Sequence, residues 1–338
     1  MKQVTIHDIA RRLNLTASTV SRALHNHPRI SKKTRELVKK TAEELNYRPN
    51  SIATSLRTGK ANSIGLIVPK INRFFFADTI SGIESVTSPA GYSLIICQSN
   101  ENYRKEVENI KTLMRSRVAG IIISISNETV SSGHLKVISE NGIPLVQFDR
   151  VRTDLRSSMV VNTNYRGSYV LARHLVEEGF HRFAYLTGPL HLNIYKERYE
   201  GFRQGLKENA LDLDPSMICD GELTYQFGFD SAGRLLKKDL PDAIVSAGDY
   251  AALGVLFCLK QAGKRVPDDI AVAGYANEQV TEFCDPAITT VEQYAHRLGS
   301  NAANLILEEI AGKQQARPAR TVEVNTQLII RESTVRNK

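Results

Sequence analysis

Short, almost entirely apolar runs alternate with helix-patterned segments through most of the chain, and no other sequence feature restricts the fold as strongly. The apolar runs are 64–68, 93–97, 120–124, 144–149, 183–187, 243–247 and 270–274. A strand that is apolar on both faces must be covered on both faces, so these runs predict buried parallel strands. Helical periodicity marks the segments between them, which are 75–88, 104–115, 165–178, 197–208, 227–237 and 250–261. The alternation predicts a doubly wound, parallel-sheet α/β core.

The length of this α/β region indicates two subdomains rather than one. It extends from residue 61 to residue 338, whereas single domains usually contain about 100 to 200 residues. The segment 159–164 is the natural crossing between two doubly wound halves. A ligand would then bind between the halves, at the carboxyl ends of the strands, where open α/β sheets place their sites.

Positive charge is concentrated in front of this region. Residues 1–60 contain 13 Lys and Arg against 4 Asp and Glu, a net charge of +9, while the remaining residues contain 31 against 32. A compact basic segment joined to a neutral body is the charge distribution expected of a nucleic-acid-binding domain attached to another unit. The alternative is a solvated, lysine-rich surface, so the motifs within the basic segment must decide between the two interpretations.

Three short amphipathic helices are predicted within the basic segment. The first begins at the capping-box sequence Thr5-Ile6-His7-Asp8 and ends at the turn Asn14-Leu15. The second begins with Thr16 as its N-cap, and the third begins with Ser31 as its N-cap and stops before Pro49. The outer face of the second helix is expected to carry Ala17, Ser18, Thr19, Ser21 and Arg22. Two short helices separated by a tight turn make an all-α helix-turn-helix candidate.

A further short segment, 51–57, follows the third helix and can be capped by Asn50. An isolated helix of this length is marginal in water, since about 12 to 15 residues are needed even for good helix formers. We therefore expect this segment to become ordered only against a partner.

Four motifs in this region occur together and in order. They are Val4-Thr5-Ile6-His7-Asp8-Ile9-Ala10, Thr19-Val20-Ser21-Arg22-Ala23-Leu24, Thr34-Arg35 and Glu44-Leu45-Asn46-Tyr47-Arg48-Pro49-Asn50-Ser51-Ile52-Ala53. With these motifs the chain resembles the lactose/galactose repressor (LacI/GalR) family of bacterial transcription regulators. The resemblance implies that the second helix lies in the DNA major groove and that residues 50–60 form a hinge helix when two subunits meet over the minor groove. It implies base reading by Ala17, Ser18 and Arg22, and a minor-groove hinge with Asn50, Ala53 and Leu56.

The side-chain chemistry agrees with these implied roles. Arg22 can make a bidentate contact to guanine O6 and N7, worth about 1 to 3 kcal/mol of discrimination, so it should dominate specificity. Ala17 can offer apolar contact to a thymine methyl, and Ser18 can offer a permissive hydrogen bond. Leu56 from two subunits could separate one base step and kink the duplex. Phosphate contacts, which position the domain without reading sequence, are expected from Thr5, Thr16, Ser21, Asn26 and Ser31.

The same resemblance extends to the α/β core. It implies three crossings between the halves, as in the periplasmic sugar-binding proteins, with the second near 290–292 and the third near 322–324. It also implies an effector between the halves, and the family counterpart of Arg198 grips a ligand. The effector contacts expected from the ends of the strands and from the crossings are Asn72, Phe74, Phe75, Asp149, Asn193, Arg198, Tyr225, Asp249, Asn277 and Gln293.

One departure from the family pattern concerns the ligand. After Gly274-Tyr275 the family usually has Asp, often an acceptor for ligand hydroxyls, whereas this chain has Ala276. Either Asn277 or Glu278 takes over that role, or the ligand differs from the common sugars. We expect a sugar or sugar derivative. A purine-like corepressor, and an effector-independent DNA-binding protein with a vestigial cleft, are the alternatives.

Other classes of protein are less compatible with the sequence. The Gly-rich dinucleotide and P-loop motifs, the Gly-x-Ser-x-Gly elbow and His-Glu-x-x-His are absent, so we expect no catalytic residue, metal or cofactor. A stand-alone sugar receptor would not need the basic segment, and the sequence starts without an export signal. No run approaches the roughly 18 apolar residues that cross a bilayer, so we expect a cytoplasmic protein. The four cysteines, expected to be reduced and mostly buried, are Cys97, Cys219, Cys258 and Cys284.

These observations predict a sequence-specific transcription regulator, acting as a repressor on double-stranded operator DNA. Its expected domains are a helix-turn-helix at 1–49, a hinge at 50–60 and an effector-binding and dimerisation core at 61–338. Within the core, the expected N-subdomain covers 61–161 and 292–321, and the expected C-subdomain covers 162–291 and 322–338. Two heads of a homodimer would bind the half-sites of a pseudo-palindromic operator. No leucine heptads follow Leu328-Ile329-Ile330, so a tetramer is not expected.

Overall fold

The computed structural model describes residues 4–24, 26–45, 47, 62–238, 240–312 and 318–336. The chain divides into two compact units, Met1–Ala61 and Asn62–Lys338. We call the first unit the head and the second unit the core.

The described part of the head contains three helices around a small apolar centre: α1 (Ile6–Leu13), α2 (Ala17–Leu24) and α3 (Lys32–Glu44). Ile9, Val20, Ala23 and Val38 are fully buried where the helices meet. The helix-turn-helix arrangement predicted from the apolar spacing is therefore confirmed.

The sequence signals at the helix ends act as predicted. The backbone N–H of Thr5 donates to Asp8 Oδ2 at 2.9 Å, and Asn14 ends α1 in the left-handed region at φ 53°. Thr16 Oγ1 and Ser31 Oγ each accept a backbone N–H of the following turn at 3.2 Å, which satisfies one of the unpaired donors at the start of α2 and α3.

The core alternates strands and helices. Its strands are β1 (Ser63–Val68), β2 (Ser93–Gln98), β3 (Ile121–Ile123), β4 (Leu145–Phe148), β5 (Ser158–Asn162), β6 (Phe183–Thr187), β7 (Ile218–Asp220), β8 (Ala243–Ser246), β9 (Ala271–Ala273), β10 (Thr290–Glu292), β11 (Thr321–Val324) and β12 (Gln327–Ile329). Its helices are α4 (Phe74–Thr87), α5 (Tyr103–Arg115), α6 (Gly133–Glu140), α7 (Asn164–Glu177), α8 (Asn193–Lys207), α9 (Tyr225–Leu235), α10 (Asp249–Gln261), α11 (Val280–Phe283) and α12 (Ala295–Ala311). Each of the seven apolar runs overlaps a strand, as predicted. The prediction that all of them are buried is wrong for β2, because it lies at a sheet edge and its residues are exposed or half-buried.

Two parallel sheets form two lobes. Among the described residues, the sheet of the first lobe has the strand order β11-β5-β4-β3-β1-β2, and the sheet of the second lobe has the order β7-β6-β8-β9. The strands β10 and β12 form an antiparallel pair. Helices cover both sheets. Two apolar clusters each belong to one lobe, and a third contains residues of both lobes. The predicted fold class, a helical head followed by two doubly wound subdomains, is confirmed.

The third crossing lies later in the chain than predicted. Thr321–Val324 pairs residue by residue with Met159–Asn162 at the edge of the first sheet. The assignment of residues 322–324 to the C-subdomain is therefore wrong, because this edge strand needs the β5 ladder for its backbone hydrogen bonds. The chain crosses between the lobes after β5, after β10 and between β11 and β12.

Side chains tie these three crossings to one another. Asn162 Nδ2 donates to the carbonyl of Gln293 at 2.7 Å, and Gln293 Nε2 donates back to Asn162 Oδ1 at 3.1 Å. The backbone N–H of Thr326 donates to Thr163 Oγ1 at 3.1 Å. The lobes are thus joined by a narrow, hydrogen-bonded hinge, about which their relative angle can change.

Helices α4 and α12 approach each other closely on the first lobe because both carry glycine at the contact. A Cβ at Gly82 would lie 2.1 Å from the carbonyl oxygen of His296, and one at Gly299 would lie 2.1 Å from that of Thr79. Side chains at either position would push the helices apart, so this packing depends on glycine.

The burial of the cysteines agrees only partly with the sequence prediction. Cys258 is buried, whereas Cys97, Cys219 and Cys284 are half-buried, and all four are free thiols. No helix within the described ranges is both long and apolar enough to span a bilayer.

Candidate DNA-binding head and effector cleft

The outer face of α2 carries two of the three predicted base readers. Ser18 and Arg22 are exposed and lie one helical turn apart, so they project from the same face. Ala17 is only half-exposed, because it packs against the apolar centre of the head. The base-reading roles of these residues stay predictions.

Most of the predicted phosphate contacts are accessible. Thr5, Thr16, Asn26 and Ser31 are exposed, and three of them stand at helix starts, where N–H groups favour phosphate. Ser21 is only 9% exposed, so the expectation that it faces outward is wrong. The cause is that α2 packs against both α1 and α3, which widens its buried face. The predicted hinge residues Asn50, Ala53 and Leu56 lie outside the described residues.

A cavity of about 120 Å³ lies between the two lobes of the core. Five predicted effector contacts line it: Phe75, Asp149, Arg198, Asp249 and Gln293. They come from both lobes and from the hinge. A molecule in this cavity would therefore touch both lobes at once.

Arg198 is the central cation of the second lobe at this cavity. Its side chain reaches inward from α8, and the residue is 4% exposed. Nε donates to Asn164 Oδ1 at 2.9 Å, and Nη1 donates to the carbonyl oxygen of Ala247 at 2.9 Å. The guanidinium also stacks on the ring of Tyr275, 3.9 Å from its centroid. The groups in direct contact with the cation are thus neutral, and carboxylates act on it only at longer range.

Arg150 is the buried cation of the first lobe, and it has a carboxylate partner. Its Nη1 donates to both carboxylate oxygens of Glu101, at 2.7 and 3.0 Å, and Glu101 also accepts the backbone N–H of Asn127 at 2.9 Å. Two buried polar atoms beside the cavity have no hydrogen-bond partner: Arg150 Nε and Asn127 Oδ1. The first is a donor and the second an acceptor, so both are available to a ligand.

Two buried aspartates face the cavity in different environments. Burial raises the pKa of Asp149, and Ser124 Oγ lies 3.4 Å from its Oδ2. Burial raises the pKa of Asp249 to about 7, although hydrogen bonds to both of its carboxylate oxygens lower the pKa. The donors are the N–H of Glu278 at 2.8 Å and Thr290 Oγ1 at 2.7 Å. Asp249 therefore holds the loop after β9 in place.

The mouth of the cleft is closed by contacts between the lobes. Lys70 Nζ pairs with Glu222 Oε1 at 2.6 Å, and the guanidinium of Arg73 lies 3.8 Å above the ring of Tyr250. The backbone N–H of Phe74 donates to Glu278 Oε2 at 3.2 Å.

Asn193 joins the lobes through its side-chain amide. Its Nδ2 donates to the carbonyl of Asp149 at 3.0 Å, and its Oδ1 accepts the N–H of Val151 at 2.9 Å. Both bonds cross from α8 in the second lobe to the loop after β4 in the first. Asn193 lines an adjacent cavity of about 310 Å³ rather than the central one.

Besides Asn193, four predicted effector contacts do not line the central cavity. Asn72 and the side chain of Phe74 are exposed at the mouth. Tyr225 packs against Phe229 and Phe257 on the outside of the second lobe, so the expectation that it offers a face to the ligand is wrong. The side-chain amide of Asn277 is occupied by Glu292 and Arg331.

Several lining residues were not among the predicted contacts. They include Lys70, Arg73, Glu101, Asn127, Arg150, Tyr195, Glu222, Tyr250, Tyr275 and Glu278. Most of them follow the carboxyl end of a strand, so applying that rule to every strand could have found them. Glu278, one of the two suggested replacements for the missing Asp, does line the cavity.

Two family models match the chain. One describes bacterial regulatory proteins of the lacI family and matches residues 5–50. The other describes a periplasmic binding protein-like domain and matches residues 172–334. The first match corresponds to the head. The second covers most of the second lobe, the second and third crossings, and α12 and β11 of the first lobe.

Full-length relatives and solved structures agree with these matches. The chain is 32% identical over 335 residues, 98% of both chains, to the HTH-type transcriptional repressor PurR of Actinobacillus pleuropneumoniae serotype 3 (strain JL03). It is 30% identical over 330 residues, 97% of this chain and 98% of the relative, to PurR of Pasteurella multocida (strain Pm70).

Two solved structures cover nearly the whole chain. The lac repressor dimer bound to operator and the anti-inducer ONPF matches with a TM-score of 0.89 and 25% identity, covering 99% of this chain and 100% of that one. The complex of the transcriptional regulator CelR with cellobiose matches with a TM-score of 0.74 and 27% identity, covering 98% and 100%. The resemblance inferred from the head motifs is confirmed.

Proposed function

Because the chain belongs to the lacI family of bacterial regulatory proteins and is a DNA-binding transcriptional repressor, we propose that a small polar effector held between the two lobes controls its affinity for operator DNA. The observation that carries the proposal is the cavity lined from both lobes, with Arg150 Nε and Asn127 Oδ1 buried beside it and unpaired. A buried polar group without a partner costs about 1 to 3 kcal/mol. Such groups persist where an occupant satisfies them, which argues against a vestigial cleft.

A sugar or sugar derivative fits the lining best. Planar hydrogen-bonding groups line the cavity together with the aromatic residues Phe75, Tyr195 and Tyr275, a combination that suits a polyhydroxylated ring. The likeness to the CelR–cellobiose complex supports this choice. A purine-like corepressor is the second candidate, supported by the full-length likeness to repressors named PurR.

The effector would control DNA binding by changing the angle between the lobes. An effector that contacts both lobes binds the closed core more tightly than the open core, and only this difference in affinity can shift the equilibrium between the two forms. The change in angle would reach the DNA through residues 50–60, with Leu56 as the minor-groove wedge between two subunits. Because the coupling is a free energy shared by two sites, operator must change effector affinity by the same factor.

A homodimer would place two heads on a two-fold symmetric operator. The aromatic cluster of Tyr225, Phe229 and Phe257 on the outside of the second lobe is a candidate part of its interface. Tyr225 is 37% and Phe257 44% exposed, and the two rings lie 6.0 Å apart. Exposed aromatic residues of this kind are enriched at protein interfaces. The likeness to the lac repressor dimer supports the proposal.

The test begins with operator selection. The full chain is used to select duplexes from a randomised pool, and operator affinity is then measured by fluorescence anisotropy with and without sugars, sugar acids and nucleobases. We expect a pseudo-palindromic site and one compound class that changes its affinity. A selected operator whose affinity no compound changes, although one of them binds the core, would contradict the effector proposal.

A further inference from the structure

We propose that the effector carries a carboxylate, as a sugar acid does, and that Arg198 and Arg150 are the groups that bind it. This inference rests on the proposed function, because it concerns the ligand of the same cavity. It is carried by an imbalance between donors and acceptors around the cavity.

Arg198 supplies the largest part of that imbalance. A guanidinium has five N–H donors, and the two hydrogen bonds described above use two of them. Both acceptors are neutral, and no carboxylate in the described part of the chain forms an ion pair with Arg198 within 4.0 Å. A buried cation without a directly paired anion is stabilised when a ligand brings one into contact with it. The ligand is therefore expected to supply that anion.

Arg150 contributes a donor that already faces the same space. Its Nε is buried and has no hydrogen-bond partner, and the nearest carboxylate oxygen, Asp149 Oδ2, lies 4.0 Å away. Glu101 fixes the other side of the guanidinium through two contacts to Nη1. The geometry thus presents a fixed, open donor rather than a mobile side chain.

The carboxylates around the cavity are already engaged by the protein. Asp249 accepts a donor on each oxygen, Glu278 accepts the N–H of Phe74 from the opposite lobe, and Glu101 accepts Arg150 and Asn127. Asp149 is the exception: burial raises its pKa, and the positive charges of Arg150 and Arg198 act against that rise. Few acceptors are thus left for a ligand, whereas donors of both arginines are left.

Ala276 provides an uncharged part of the cavity wall. It lines the cavity at the position after Tyr275. A carboxylate side chain there would repel a ligand carboxylate, whereas Ala does not. The absence of a repulsive group at this position is compatible with an acidic ligand.

A carboxylate fits the charge of the cavity better than a phosphate. Arg150 pairs with Glu101, Lys70 pairs with Glu222, and Arg73 lies near Glu278. Arg198 has no carboxylate in direct contact and only the longer-range attraction of Asp149 and Glu197. A phosphate monoester carries about two negative charges at neutral pH, which is more than Arg198 can neutralise, and the surplus would be repelled by these carboxylates. A neutral purine would supply no charge to Arg198.

The experiment compares acids with their neutral counterparts on the full chain. D-glucuronate, D-galacturonate and D-gluconate are titrated calorimetrically beside D-glucose, D-galactose and D-sorbitol at constant ionic strength, with glucose 6-phosphate and hypoxanthine as further probes. We expect at least one acid to bind about 10- to 100-fold more tightly than its neutral counterpart, as a charge-assisted hydrogen bond allows. In Arg198→Gln this preference should fall below about 3-fold, and Arg198→Lys should recover part of it.

The outcomes separate this inference from the proposed function. If a neutral sugar or hypoxanthine binds and changes operator affinity while no acid exceeds its counterpart, the carboxylate proposal is overturned and the proposed function stands. Preference for glucose 6-phosphate over every carboxylate also overturns it. An acid preference that Arg198→Gln leaves intact, in a variant with the circular dichroism and melting profile of the wild type, overturns the assignment to Arg198. If an acid binds in the expected way but operator affinity is unchanged, the carboxylate proposal stands and the effector proposal fails.

Discussion

Replacing Asn193 by Ala should loosen the closed arrangement of the two lobes. The substitution removes two hydrogen bonds that cross the cleft, one to the carbonyl of Asp149 and one from the N–H of Val151. A typical protein hydrogen bond contributes about 0.5 to 1.5 kcal/mol net, so the closed state should lose about 1 to 3 kcal/mol relative to the open state. This corresponds to about a 5- to 150-fold change in the equilibrium between them.

Hydrogen exchange at the backbone amide of Phe74 provides a distant reporter of this change. Phe74 is the first residue of α4, so its N–H has no partner within the helix, and it donates instead to Glu278 across the cleft. If the lobes open as rigid bodies, Asn193→Ala should speed exchange at Phe74 by the same 5- to 150-fold factor. The matched control is Asn209→Ala, because the Asn209 side chain bonds only the carbonyl of Gly205, in its own lobe.

The result that would refute this reasoning is specific. Exchange at Phe74 that is unchanged in Asn193→Ala, while the N–H of Val151 exchanges faster, would mean that the cleft contacts open independently. The lobes would then not behave as two rigid bodies, and Asn193 would hold only its own loop.

Three further predictions concern DNA binding, pH and assembly. Arg22→Ala should weaken binding to the selected operator by about 1 to 3 kcal/mol more than binding to unrelated duplex, as anisotropy titrations of both would show, and equal losses would exclude base reading. Burial raises the pKa of Asp249 from its usual 3.8 to about 7, so the folded protein keeps a proton that the unfolded chain releases, and stability should fall as pH rises between about 4 and 7. Thermal melting from pH 5 to 8 should show a smaller fall in Asp249→Asn, and an identical pH profile would contradict the assignment. Phe257→Arg should shift sedimentation from dimer towards monomer and weaken operator binding, whereas Lys237→Arg, on an exposed turn, should do neither.

The sequence specified the strands of the core better than the places where the chain changes lobe. Buried strands such as β1 and β3 are recognisable as continuous apolar runs. β5 alternates buried and half-buried residues, and β11 at the sheet edge has one fully buried residue, Val324. β11 resembles a connecting segment in sequence, because an edge position does not require apolar residues on both faces. β5 lies one strand further in, but its alternating burial still breaks the continuous apolar pattern. Their pairing with each other depends on residues about 160 positions apart, which no local pattern encodes.

The candidate site was predictable where a strand end alone determines the position of a side chain. Asp149 and Asp249 follow β4 and β8 and line the cavity as the strand-end rule implies. The strand-end rule fails where the local backbone conformation directs the side chain away from the cavity. Asn277 lies in the left-handed region at φ 50°, and its amide is bound by neighbours outside the cavity. Tyr225 follows a strand end too, but it starts α9 and stacks on Phe229 one turn later.

The most direct test of effector control compares two affinity ratios. Operator affinity is measured by anisotropy with and without a saturating acid that binds the cleft, and affinity for that acid is measured by calorimetry with and without saturating operator. If the cleft controls DNA binding, the two ratios must differ from one and must be equal, and both must return to one in Arg198→Gln. A ligand that binds the core with undiminished affinity while both ratios stay at one would contradict the claim that this protein is an effector-controlled repressor.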